Sequence, residues 1–323
     1  MMLKRITIRL ILLFTISFLT SCEINQQQKN SNAISDTITQ SEPMSQMMCS
    51  LQDMSKEGCR SRKVFIDILM SIPGPIELAL FAKEQQVNYQ PNLLNIAVAD
   101  LSVQAKKRYE QAWLLGAYFT GLTQAWVYQK PKVAQTYLKV IQQLTMKLGL
   151  TQDFNYSALN FLSTNPHSSD GFLVKITQAY HNILQSFFDF GDAEFSTSAI
   201  FMSLGSFTES LHFLASNSHT SDNKILWERL GEQKQMLGAY LILLYFYEDM
   251  PKVKPVLTAL DKLQALLEQV KVEYQAHDSQ ITIEDDIIVL IEQSTVKMTM
   301  NNYLKNKLPT LIKQLQAQQL LNR

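Results

Sequence analysis

Glu209 and His212 come closest, by type and spacing, to a metal-binding pair in this chain. A Glu and a His three residues apart share one helix face. Helical di-metal carboxylate sites use that pair twice, with further carboxylates turned inward. This chain offers it once, so no metal is expected there. A buried structural role and a plain surface position both compete with a ligand contact. Glu209 points away from the Ile200, Leu204 and Leu211 stripe, yet Met202 and Phe213 lie on its side. Arg229, Glu232 and Lys234 form a second charged group. Their spacing suits intrahelical ion pairs on a solvated face, or a recognition patch. His167, His181, His219 and His277 are scattered. No Gly-rich phosphate loop, nucleophile elbow or HExxH occurs. Glu284-Asp285-Asp286 would offset a helix N-terminus, and a calcium loop would need more oxygen ligands at set intervals. Trp113, Tyr118, Phe119 and Trp126 read as core rather than as a sugar platform. No cofactor is expected, and a non-catalytic protein is favoured over an enzyme.

The cysteines point to place rather than to reaction. Lys4, Arg5 and Arg9 precede an apolar run from Leu10 to Leu19, the layout of a secretory signal too short to span a bilayer. The following Leu19-Thr20-Ser21-Cys22 resembles the lipobox of bacterial lipoproteins. That resemblance implies a diacylglycerol thioether on Cys22, cleavage before it and acylation of the new amine. Two or three acyl chains anchor almost permanently, at about 0.8 kcal/mol per buried CH₂. Glu23, in place of the Asp that favours inner-membrane retention, implies the outer membrane. The absence of an acidic cluster after the Cys implies a periplasm-facing protein. Cys49 and Cys59, ten residues apart, could close a small loop in an oxidising envelope. A disulfide and two thiols stay equally open. Two cysteines with no nearby His make a poor zinc site.

Residues 23–48 are rich in Gln, Asn, Ser and Thr and hold no aromatic residue, so they read as a polar tether. From Cys22 to Arg60 the reach is about 35 Å for a flexible chain. The chain holds 29 basic and 29 acidic residues; loss of Lys4, Arg5 and Arg9 leaves 26 basic, a net charge of −3. Nothing in that balance favours nucleic acid.

The elements that would position these residues are helices. Pro75 opens a helix through Phe81, and Asn92 can cap another through Leu101. Residues 107–149 read as two antiparallel amphipathic helices, broken at Lys130-Pro131 and stopped at Gly149. Further stripes run through Leu173 to Phe187, Ile200 to Leu214 and Lys224 to Glu248, with a loop at 216–223. Met236 to Tyr247 is apolar all round and should be buried. Val253 to Val270 gives a strong stripe. Thr282 with Asp285 suggests a capping box before Ile287, and Pro309 should kink or restart the last helix. Gly116-Ala117-Tyr118 with Pro131-Lys132-Val133 is echoed by Gly238-Ala239-Tyr240 with Pro251-Lys252-Val253, and Leu204-Gly205 is a third partial echo. Either duplicated helical hairpins or small residues at close crossings would explain this. The expected fold class is all-α: packed antiparallel helical hairpins, as a bundle or an irregular TPR-like α-solenoid.

Ile72-Pro73-Gly74-Pro75-x-Glu77, Leu115-Gly116-x-Tyr118, Tyr137-Leu138 with Leu148-Gly149, Gly205-x-Phe207-x-Glu209-Ser210-Leu211 and Gly231-Glu232-Gln233-Lys234 are similar to a group of exported all-helical bacterial lipoproteins. The resemblance covers about residues 70–280 and implies fold and location but no activity. The resulting organisation is a cleaved signal at 1–21, a lipidated Cys and tether at 22–60, and an all-helical domain at 61–323. The leading expectation is a lipid-anchored binding or scaffold module of the envelope, with the membrane and a protein as partners. The alternative is a small-ligand binder or enzyme with an interhelical pocket near Glu209.

Overall fold

A computed structural model describes residues 57–89, 107–157, 159–160, 169–189, 192–220, 224–275, 280–284, 287–291, 295–299 and 302–321. The signal segment, Cys22, Cys49, the tether to residue 56 and the helix expected after Asn92 lie outside them. The packed body is all-α. Its helices are α1 (Glu57–Ser71), α2 (Pro75–Glu84), α3 (Arg108–Val127), α4 (Pro131–Leu148), α5 (Ser169–Asp189), α6 (Ala193–Thr220), α7 (Lys224–Tyr245), α8 (Lys254–Leu267) and α9 (Asn302–Leu321). Helix α1 starts before the expected domain boundary at 61 and includes Cys59.

Punctuation residues set these boundaries as the pattern predicts. Pro75 and Pro131 open α2 and α4, where a missing N–H costs nothing. Gly149 ends α4 with φ +76°, and the Leu150 N–H returns to the Thr145 carbonyl at 2.8 Å. The residues 63–84 are apolar enough to suggest a membrane span, but they are divided between α1 and α2 by Pro73-Gly74. Phe65, Leu69, Ile72 and Leu78 from this stretch are buried in the core.

Helices α3 and α6 form the centre. Nearly every residue of α3 from Ala112 to Ala125 is buried, as expected of a helix surrounded by others. Tyr109 and Trp113 meet Phe201, Thr120 meets Ser206, and Tyr128 meets Phe213. The paired residue numbers rise together along both helices, so α3 and α6 run parallel. The sequential pairs α3/α4 and α6/α7 are antiparallel, with Tyr118 against Tyr137 and Ser203 and Phe207 against Tyr240.

Glycine makes the central crossing close. A Cβ on Gly116 would sit 1.8 Å from the Met202 carbonyl oxygen, and one on Gly205 would sit 2.1 Å from that of Trp113. The two glycines therefore face each other's backbones. A Cβ on Gly238 would meet nothing within 4 Å. The echo of Leu115-Gly116 in Leu204-Gly205 thus has a packing cause, which Gly238 does not share. Hydroxyls on these helices are satisfied: Thr120 Oγ1 and Ser206 Oγ are 2.9 Å apart across the crossing, and Ser203 Oγ of α6 lies 2.7 Å from Tyr240 Oη of α7.

Three local expectations are corrected. The loop expected at 216–223 is helical through Thr220, and Asn217 returns its side-chain N–H to the Phe213 carbonyl at 2.8 Å. That local bond lets a polar residue continue a helix. The end of α7 is not covered all round: Ile242, Tyr245 and Phe246 are 55%, 49% and 60% exposed. The capping-box region forms strands instead: β1 (Lys271–Gln275), β2 (Gln280–Glu284), β3 (Ile287–Ile291) and β4 (Thr295–Thr299). β2 pairs antiparallel with β3 and β1 with β4. The run of Val, Ile and Thr favours strand over helix, and this outweighs the single capping signal. Asp285 and Asp286 lie outside the described residues. Pro309 lies within α9.

Candidate functional site

Helix α6 carries Glu209 and His212 into the layer between α3, α4 and α9. Glu209 is half-buried, and Gln316 of α9 donates to its Oε2 at 2.8 Å. Burial pushes the Glu209 carboxyl up to about 8, against the pull of that hydrogen bond. His212 is 7% exposed, and its Nε2 has no hydrogen-bond partner among the described residues. Burial pushes its imidazole down to about 4, and the Lys313 charge acts in the same direction. At neutral pH the pair is therefore a protonated acid and a neutral imidazole.

Phenols and an amide lie on the elements beside this pair, with Tyr137 close enough to feel the Glu209 charge. Burial raises the Tyr137 hydroxyl, with smaller contributions from Glu209 and Tyr89. The Tyr89 and Tyr128 rings are 5.5 Å apart, and Tyr128 meets Phe213 at 6.1 Å. The hydroxyls of Tyr89 and Tyr128 and the Oε1 of Gln124 are buried without hydrogen-bond partners among the described residues. Burial also pushes Tyr128 up to about 12. Each unmet buried polar atom costs about 1–3 kcal/mol, so several at one end of α3 call for an explanation. A carboxyl poised near neutrality can donate or accept a proton. Among the described residues, no three His, Cys, Asp or Glu side chains gather to share a metal ion.

Arg229 and Glu232 sit apart from this cluster, on α7. They form the expected i,i+3 ion pair at 2.5 Å. Arg229 is less solvated than its charge suggested: its guanidinium lies 5.3 Å from the Phe81 ring centre, and its charge reaches Glu77 of α2. It joins α2 to α7 instead of presenting a free cation. The four candidates Glu209, His212, Arg229 and Glu232 thus divide into two places; among the described residues the second leaves the Arg229 Nε without a hydrogen-bond partner, and the first leaves the His212 Nε2.

Sequence reading missed Tyr89, Gln124, Tyr128 and Gln316 at the first place. Nothing local marks them; Gln316 reaches Glu209 across 107 residues of sequence. A pocket of about 470 Å³ was also missed. It lies beside Lys107, Tyr109 and Lys252, towards the opposite end of α3. At 1.5 Å per residue, Tyr109 and Tyr128 are about 30 Å apart along that helix. No family model, curated protein or solved structure matches this chain.

Proposed function

We propose that this chain is a lipid-tethered helical module of the bacterial envelope, which binds a protein partner or supports an envelope assembly without performing catalysis. The observation that carries the reading is Leu19-Thr20-Ser21-Cys22 at the end of a basic-then-apolar segment. Its resemblance to a lipobox supports lipidation of Cys22, and Glu23 favours the outer membrane with the domain facing the periplasm.

An exposed apolar region adds support for a partner. Ile242, Tyr245 and Phe246 fall within about one turn at the end of α7. Phe246 meets Phe65 at 6.0 Å, and the neighbouring Val64 is 57% exposed. Apolar surface gathered from two elements is a common sign of an interaction site. Crosslinking on intact membranes, followed by affinity recovery of the full chain, tests the reading. A specific envelope protein should be recovered, and recovery should fall when Phe246 is changed to Ser. No specific protein, together with turnover of an envelope substrate by the purified chain, would contradict it.

The unmet polar atoms around His212 favour a second reading, a small-ligand site near Glu209. Native mass spectrometry of protein taken from membranes would then show a retained small molecule, lost in Glu209→Gln. An unliganded mass would count against this second reading.

A further inference from the structure

The pocket at the other end of α3 lies where three helices begin. Lys107 precedes α3, Glu194 is in the first turn of α6, and Met250 to Lys252 precede α8. Helix N-termini carry partial positive charge, and here they are joined by cations.

Among the described residues, Lys107, Arg108 and Lys252 make no ion pair. The Lys107 and Lys252 ammonium groups lie 5.7 and 5.6 Å from the centre of the same Tyr109 ring. They are therefore no more than about 11 Å apart, the sum of those two distances. Lys107 also donates to Tyr109 Oη at 3.3 Å. The Arg108 guanidinium lies 3.7 Å from the Phe195 ring centre. Nearby acids are engaged at helix ends: Asp192 Oδ1 accepts the Phe195 N–H at 2.7 Å, and Glu110 Oε2 accepts the Lys107 N–H at 3.2 Å. Glu194 is the acid that lines the pocket. Burial lowers Lys252, Glu194 pulls it back, and Arg108 lowers it further. Glu110 attracts Lys107, and Glu194 and Asp192 attract Lys252, but among the described residues none reaches ion-pair contact; two like charges held against one ring then leave a place for an anion.

We propose that this pocket binds a small organic molecule through an oxyanion head, phosphate or carboxylate, held between Lys107 and Lys252. The body of the ligand rests on Tyr109, Met250 and Pro251, and an amine or hydroxyl of the ligand faces Glu194. A volume of about 470 Å³ suits such a molecule. Lysine suits the head as a point charge, without the fixed fork of arginine. The pocket lining includes neither Cys22 nor the Glu209 cluster, so either reading can fail without it.

The head could belong to a free solute or to a lipid. Calorimetric titration of the full chain in non-ionic detergent distinguishes them, with inorganic phosphate, acetate, glycerol 3-phosphate and dihexanoyl phosphatidylglycerol as probes. At least one probe should saturate, and Lys107→Met and Lys252→Met should each weaken it tenfold or more. Lys132→Met, on exposed α4 surface, should leave it unchanged. Preference for glycerol 3-phosphate assigns a solute, and preference for the short-chain lipid assigns a headgroup. In the unmutated chain the saturating probe should also slow reductive methylation of Lys107 and Lys252 at least fivefold, but not that of Lys132. This second measurement does not depend on how the variants fold. No saturation with any probe, or saturation that survives either substitution at Lys107 or Lys252, overturns the proposal.

Discussion

Glu209 and His212 are both held neutral by the same burial, and this makes their pH effects opposite. Glu209 is raised from 4.5 to about 8, so its contribution is complete below 4.5 and is lost as pH rises through 8. His212 is lowered from 6.5 to about 4, so its contribution is complete above 6.5 and is lost as pH falls through 4. Between about 4.5 and 6.5 the two slopes cancel. Above 6.5 only Glu209 acts, and one proton over that window amounts to about 2 kcal/mol of lost stability by pH 8. Glu209→Gln keeps the shape and an acceptor for Gln316, and it should remove that alkaline decline. Urea unfolding at pH 6.5 and pH 8 checks this; an equal decline in both proteins would contradict it. The Glu209/His212 spacing was visible in the sequence, but its environment was not. That environment comes from Gln316, Tyr137 and Tyr89, which are remote in the chain and share no periodic signal.

At the scale of elements, the crossing of α3 and α6 depends on two missing side chains. Gly116→Ala or Gly205→Ala would place a methyl against carbonyl backbone that cannot rotate away. Each should cost about 2–3 kcal/mol, the upper part of the range for overpacking a core and more than the usual substitution. Gly238→Ala meets open space inside a helix and should stabilise by about 0.5–1 kcal/mol. Thermal unfolding of the three variants separates the cases. Equal effects would remove the packing account of the shared Leu-Gly pairs. Elements bounded by Pro75, Pro131 and Gly149 were legible because those residues act on their own backbone. The strands at 271–299 were misread because a local Thr-x-x-Asp pattern was given more weight than the β-branched run around it. The extension of α6 to Thr220 was misread because polar composition hid the bond from Asn217 to the Phe213 carbonyl.

For the molecule as a whole, the all-α class was legible from the 3.6-residue stripes, while the partnering of helices was not. Stripes show that a face is buried without showing against what; the parallel α3/α6 pair joins helices 66 residues apart at their closest ends, Val127 and Ala193. The exposed end of α7 was misread for a related reason, since an apolar residue need not be covered. Phe246→Ser should therefore change stability by less than about 1 kcal/mol, because its side chain is mostly in solvent. It should still lower the crosslinked recovery of a partner; unchanged recovery would remove this surface from the account. All of the envelope reading depends on Cys22, and its chemistry is directly measurable. The intact mass of the full chain, expressed in a bacterium and extracted from its membranes, tests it most closely. The account predicts loss of residues 1–21 and a mass increase for a diacylglyceryl thioether and an amide-linked acyl chain on Cys22. A chain that still begins at Met1, or one cleaved to an unmodified Cys22, would contradict it.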